Sequence, residues 1–437
     1  MAELLSVGLD VGTTTSQMVV SRLQVENRAS AFSVPKMEIV RRDIIYKGMV
    51  QFTPLLGKDR VDTQALRSWL EKEYENAGIT PSQVDTGAVI ITGETSRKEN
   101  ARAVLEAISN FAGEFVVTTA GPHLESVLAA KGAGADSYSQ QTGKTVLHMD
   151  IGGGTANLAW IENGRIVKTG CLNVGGRLVK LEGNTITYVS PVLQEVTAVN
   201  TLSDLEPLAK MLSQALEMAA GLRPRDALLD SLWTKEAGKM WEEFLVPDVI
   251  SFSGGVADCI EKDLSSFVYG DIGPILGKAI GNSLLCRGAY RLGEETIRAT
   301  VIGAGCHSTQ LSGSTVFYQN VKFPLKNLPV TFGSQPMFSE DEAAILFLTQ
   351  TADTYAELCV LADRIVEVIK DRPMYVAMEA DMAKALGHAL QLRLSKDHPI
   401  LCIDRVSLEE GSYLDVAAPV GPSLPVVVKT LVLAKKQ

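Results

Sequence analysis

Cysteine is scarce and unpatterned in this chain: Cys171, Cys259, Cys286, Cys306, Cys359 and Cys402 are scattered over 437 residues, with no C-x-x-C pair. Such spacing excludes a disulfide-stapled scaffold and a closed structural zinc site, and it points to a reducing compartment. Positive charge is in deficit, with 41 Lys and Arg against 51 Asp and Glu and a formal net charge of −10. Non-specific nucleic-acid binding and adhesion to anionic membranes both need a basic face, so neither partner is expected. No apolar run approaches the ~20 residues of a membrane span. The apolar stretch of MAELLSVGLDVG, bounded by Glu3 and Asp10, is too short for a signal-peptide core. A cytoplasmic protein is expected.

The remainder is ordinary globular material, 46% hydrophobic and long enough for two or three domains. Strand and helix patterns alternate, which predicts an α/β architecture. Leu4 to Leu9 reads as a strand, Asp10 to Thr15 as a small-residue turn and Gln17 to Leu23 as a second strand. MDIGGGTANLAW repeats that plan: Val146 to Met149, the turn Gly152 to Thr155, then Leu158 to Ile161. Asn163-Gly164 follows as a hairpin signal before Arg165 to Thr169. Asp150 lies 140 residues after Asp10 (150 − 10).

Between the repeats, a strand over Thr86 to Thr92 meets Gly93-Glu94-Thr95-Ser96, and Arg97 to Phe111 has helical spacing. The small and polar stretch AGADSYSQQTGK is expected to be an exposed connection and the first domain boundary. Ser203 to Glu206 forms a capping-box pattern that opens a helix striped by Leu205, Leu208, Leu212, Leu216 and Ala219. Val249 to Ser253 reads as a strand ending in Gly254-Gly255, with a helix from Ala257. Farther on, helices are expected over Ala352 to Lys370 and Glu379 to Ser395, and strands over Ile400 to Ile403 and Pro425 to Leu433. The expected units are 1–140, 141–300 and 301–437.

Glycine in a turn admits positive φ and close ligand approach, and consecutive amides there converge on phosphate oxygens. The first turn offers Asp10, Gly12, Thr13, Thr14 and Thr15; the second offers Asp150, Gly152, Gly153, Gly154 and Thr155. Two aspartates repel a polyphosphate unless a divalent cation lies between them, and a hard, oxygen-rich setting suits Mg2+. A Mg-nucleotide is therefore the coherent ligand.

LDVGTTTS, MDIGGGTANL and FSGGVADCI resemble, in that order and spacing, the phosphate-1, phosphate-2 and adenosine motifs of the actin, Hsp70 and sugar-kinase superfamily. Within it, the whole chain most closely resembles the ethanolamine ammonia-lyase reactivating factors, including its C-terminal LCIDRVSLEEGSYLDVAAPVGPSLPVVVKTLVL. The resemblance implies an actin/Hsp70-like fold of two ribonuclease-H-like domains around an interdomain nucleotide cleft. Asp10 and Asp150 would approach Mg2+ from opposite domains, and Gly254-Gly255 would run beside adenosine. It implies an ATPase that releases damaged cobalamin from its partner, ethanolamine ammonia-lyase, so that adenosylcobalamin can enter. It also implies association with the ethanolamine-utilisation microcompartment, although no encapsulation segment is recognisable, and a homo-oligomer stays open.

Hydrolysis needs a group to orient water, and Glu94 in ITGETS is the candidate, with Glu125 competing and helix capping as the plain alternative for Glu94. PHLESVLAAKGAGA resembles the first connecting helix of the superfamily but places Gly121 where chaperone relatives carry glutamate. Other patterns are decoys. Gly143-Lys144-Thr145 lacks the earlier glycine of a P-loop, Tyr138 standing in its place. Cys306-His307 is read as structural, and His148, inside an apolar strand, as a packed or hydrogen-bonded histidine. A small-molecule kinase, or an actin-like protein whose assembly the nucleotide controls, would use the same cleft.

Overall fold

The computed structural model describes residues 2–12, 15–28, 37–56, 60–91, 104, 116–119, 122–234, 246–307, 309–312, 315–332, 343–369, 372–406, 408, 412–419 and 423–430. Thr13, Thr14, Glu94 and all but residue 104 of the expected 97–111 helix lie outside them. Among the described residues no helix is long and apolar enough to cross a membrane.

The first sheet contains β1 (Ala2–Val11), β2 (Thr15–Asn27) and β3 (Met37–Lys47), which meander antiparallel. Helix α1 (Thr63–Ala77) follows, opened by the Asp62 carboxylate accepting from the amides of Gln64 and Ala65 and closed by Gly78 at φ 68°. Then β4 (Thr86–Ile91) and β5 (Val116–Thr119) add parallel to β1. The strand order is β3-β2-β1-β4-β5.

Two helices, α2 (Pro122–Gly132) and α3 (Ala135–Thr142), lead to the second sheet. There β6 (Val146–Ile151), β7 (Ala156–Glu162) and β8 (Arg165–Leu172) meander antiparallel. After α4 (Leu205–Ala219) come β9 (Val249–Ser253), α5 (Gly273–Gly281) and β10 (Tyr290–Leu292), with β9 parallel to β6 and β10 parallel to β9. The order is β8-β7-β6-β9-β10, the pattern of the first sheet repeated. This twice-used ribonuclease-H-like order is the actin/Hsp70-like architecture. Each central strand is buried on both faces, and Val146 to Ile151 is accordingly apolar apart from His148 and Asp150.

Helix α6 (Ala299–Ile302) and a π-helical turn (Gly303–His307) return the chain to the first half, packing on α2 and β1. The third sheet uses β11 (Thr309–Leu311), β12 (Phe317–Gln319), β13 (Leu325–Phe332), β14 (Ile345–Leu348), α7 (Tyr355–Ile369), β15 (Met374–Met378), α8 (Ala383–Gln391), β16 (Ile400–Ile403), β17 (Ser412–Val416) and β18 (Pro425–Thr430). Its order is β11-β18-β17-β13-β14-β15-β16-β12, with β13 to β16 parallel. Period-two alternation divides its two cores: Met374, Val376 and Met378 pack with α7 and α8, while Tyr375 and Ala377 face Leu414, Val416 and Val426.

Three local expectations need correction. AGADSYSQQTGK is exposed at Ser137 and from Gln140 to Lys144, but as a folded element rather than an open connection: Ala135 to Thr142 is helical, between Gly134 and Gly143 at φ 70° and 68°. Tertiary contacts override its polar composition, because Ser139 is buried, donating to Lys144 O and accepting from Gly164 N. The capping box opens two residues earlier, where Asp204 accepts from the Thr201 amide and begins a 3-10 turn into α4; Ser203 instead bonds the Thr201 hydroxyl. After the glycines only a 3-10 turn, Ala257–Cys259, forms, and the longer helix starts at Gly273. Asn163 and Gly164 take φ 48° and 79°, the paired left-handed values of the expected tight hairpin.

Candidate functional site

Both strand–turn–strand units close with the same hydrogen bond: Gly12 N donates to Thr15 O and Gly152 N to Thr155 O, each at 2.9 Å. Register matches as well, Asp10 facing Gln17 across β1 and β2 and Asp150 facing Asn157 across β6 and β7. The two units confront each other over a cleft of about 370 Å³. Asp10, Gly12 and Thr15 line it from the first half. Asp150, Gly152, Gly153, Gly154 and Thr155 line it from the second, with Gly254 and Gly255 following β9. Gly254 is at φ 89°, and a Cβ there would lie 2.3 Å from Ile151 O, so the turn requires glycine. A Cβ on Gly154 or Gly255 would meet nothing within 4 Å, which leaves their backbone open to the cleft.

Asp150 is buried, and burial raises its carboxyl to about 6 against the opposing hydrogen bonds from Ser253 and Thr300. Ser253 Oγ donates to Oδ1 at 2.5 Å, and Thr300 Oγ1 approaches Oδ2 at 3.5 Å. His148 Nε2 reaches Ser253 Oγ at 2.9 Å, a hydrogen-bonded core histidine as its strand position implies. Cys306 and His307 do not line the cleft, and Ser21 Oγ meets Cys306 Sγ at 3.0 Å.

Glu125, the competing carboxylate of the sequence, lines the cleft from α2, where it is buried and accepts from Asn157 Nδ2 at 2.9 Å. Several other lining residues escape motif reading. Gln17 and Asn157 each stand seven residues after their aspartate, so the recurring D-x6-[Q/N] spacing carries a signal for them. Arg177, Asp258, Asp271 and Thr300 come from separate segments and have none. Arg177 pairs with Asp271 at 3.3 Å and lies over the Phe52 ring of the opposite lip, 5.4 Å from its centroid. It is the one cation among the described lining residues, against the carboxylates of Asp10, Glu125, Asp150, Asp258 and Asp271.

That balance tests the fit of a Mg-nucleotide. A bare polyphosphate meets a mainly acidic cleft, whereas a divalent cation gives the carboxylates a counter-charge. Gln17 Oε1 and Asn157 Oδ1, at equivalent positions beside the cleft, are buried and meet no donor among the described residues. No group of three or more His, Cys, Asp or Glu among the described residues is placed to hold a metal alone. Two carboxylates with phosphate and water completing the shell is the arrangement Mg2+ favours.

Known proteins extend these observations. The chain is 37% identical to the ethanolamine ammonia-lyase reactivase EutA of Salmonella typhimurium, covering 98% of both chains. It is 36% identical to the protein of that name from Escherichia coli, again covering 98% of both. Among solved structures, the Ppx/GppA family member of Aquifex aeolicus has a TM-score of 0.41 at 11% identity, covering 69% of this chain and 97% of that one. The family model described as ethanolamine utilisation protein EutA matches residues 2–337 and 332–434. The chain belongs to the EutA family.

Proposed function

We propose that this protein is an ATP-dependent reactivating chaperone that releases damaged or inactive cobalamin from ethanolamine ammonia-lyase so that adenosylcobalamin can rebind. The observation that carries this reading is the convergence of both aspartate turns and the Gly254-Gly255 turn on one cleft, in a chain aligned end to end with two reactivases. The amides of Gly12, Thr13, Thr14 and Thr15, and those of Gly152 to Thr155, would cradle phosphates, with Gly254 and Gly255 beside adenosine. Asp10 and Asp150 would hold Mg2+, which supplies charge neutralisation at the phosphates. Arg177, released from Asp271, is the protein cation at hand for the same charge. Glu94 keeps its assignment as water-orienting residue, and Glu125 is its competitor from within the cleft.

Contacts to both halves favour closure, and different affinities of the open and closed forms for the lyase would loosen its cofactor site. The units 1–140 and 141–300 form the ATPase, and 301–437, with a sheet and cores of its own, supplies lyase-binding surface. The setting is cytoplasmic, at the ethanolamine-utilisation microcompartment.

The test follows cyanocobalamin-inhibited ethanolamine ammonia-lyase after addition of this protein, Mg-ATP and adenosylcobalamin. Wild type restores activity with release of free phosphate, and Asp10→Ala or Asp150→Ala slows recovery roughly a hundredfold, the scale of losing a central electrostatic group. No recovery with folded wild type would reject the reactivase; a phosphorylated small molecule as product would replace it with a kinase.

A further inference from the structure

The duplicated halves provide an internal comparison at the aspartates. In the parallel pairing of β6 with β9, Asp150 lies beside Ser253 and His148 beside Ser251. At the same stations of the first half, Asp10 lies beside Ile90 and Gly8 beside Ala88. The architecture thus accepts glycine, alanine and isoleucine where the second half buries a histidine and two serines, all at 0% exposure. Polar groups inside a sheet cost stability unless each is satisfied, and these three satisfy one another. Ser253 Oγ donates its proton to Asp150 Oδ1, so it accepts from His148 Nε2–H at 2.9 Å; Nδ1 then accepts from Ser251 Oγ at 3.1 Å. The chain of donors has a single direction and ends on the carboxylate.

We propose that Ser253 and His148 are positioning residues for Asp150: the serine hydroxyl, aimed by the imidazole, fixes the rotation of the carboxylate through Oδ1 so that it meets a divalent cation in one orientation. Outer hydrogen bonds of this kind set the orientation of metal ligands. Ser253 also directly precedes Gly254 and Gly255, so the turn on the adenosine side and the orientation of Asp150 depend on one strand end. At the matching station of the first half Ile90 carries no hydroxyl, so this donor chain is a feature of the second half. The inference rests on the assignment of Asp150 to Mg2+ made above.

Binding of a fluorescent ATP analogue across a Mg2+ titration tests it without reference to reactivation. Ser253→Ala and His148→Leu are expected to raise the Mg2+ needed for half-maximal binding about ten- to a hundredfold. At saturating Mg2+ their affinity for the analogue returns to that of wild type. His148→Gln keeps an amide donor for Ser253, and Ile90→Val alters the matching station of the other half; both are expected within about threefold of wild type, well inside the effect of losing an outer-shell partner. If His148→Leu does not fold, Ser253→Ala, the loss of one oxygen, decides alone. An unshifted Mg2+ requirement in Ser253→Ala overturns the relay and leaves the site reading standing, as does His148→Gln failing as badly as His148→Leu. Wild-type binding with no Mg2+ dependence overturns both.

Discussion

His148 has no solvent exposure, and burial pushes its imidazole down to about 3, with the charge of Arg291 acting in the same direction. The unfolded chain takes up a proton below about 6.5 and the folded chain does not, so this residue makes stability fall as pH drops through that range. The slope approaches about 1.4 kcal/mol per pH unit. Asp150 acts oppositely: raised to about 6, it holds a proton in the folded state before the unfolded carboxyl does, which adds stability as pH falls from 6 towards 4. His148→Gln retains a donor to Ser253, so the Asp150 contribution is common to wild type and variant. Urea unfolding should therefore show wild type losing about 1–2 kcal/mol relative to His148→Gln between pH 7 and 5. Parallel pH profiles would refute the burial of a neutral imidazole. At this scale the sequence exposes the aspartates and glycines because each turn is contiguous and recurs. It conceals the relay because His148, Ser251 and Ser253 meet only through strand pairing across about a hundred residues.

The connecting elements are held by backbone contact that only glycine permits. A Cβ on Gly132 of α2 would lie 1.8 Å from Ala299 O, and one on Gly303 would lie 2.0 Å from Leu128 O. These are main-chain atoms, so the helices rather than a side chain must yield. Gly303→Ala is expected to cost roughly 1–3 kcal/mol or more, as overpacking does in well-packed cores. Gly288→Ala, where a Cβ meets nothing within 4 Å, should stay within about 0.5 kcal/mol. Thermal unfolding that leaves both variants alike would mean that the crossing is looser than described. Elements with strong periodicity, α4 and α7 among them, are legible in the sequence because their apolar stripe is itself the packing surface. Helix α3 is not, since Ala135 to Thr142 looks like a loop until Lys144 and Gly164 supply partners for Ser139.

Across the whole molecule, repetition of one strand order makes the cleft a junction between two structurally equivalent halves, while the third sheet stands outside it. Motif recurrence reveals that duplication, but the parallel order of β13 to β16 depends on long-range pairing that local periodicity does not encode. A ligand seated on both turns binds the closed arrangement better than an open one and shifts the population towards it. At a hundred times its dissociation constant, a nucleotide stabilises the bound form by about 2.7 kcal/mol, slowing exchange through site-breaking openings up to about a hundredfold. Amide hydrogen exchange with Mg-ATP should thus slow at both turns, around residues 10–15 and 150–155, and in α2 between them. Strands β14 to β16, which contribute nothing to the cleft, should exchange unchanged. Protection confined to one half would mean that nucleotide binds without drawing the halves together, and closure could not then be the step that reaches the lyase. Protection in both halves, lost from both in Asp150→Ala, would tie a side chain in one half to the order of the other, as a shared cleft requires.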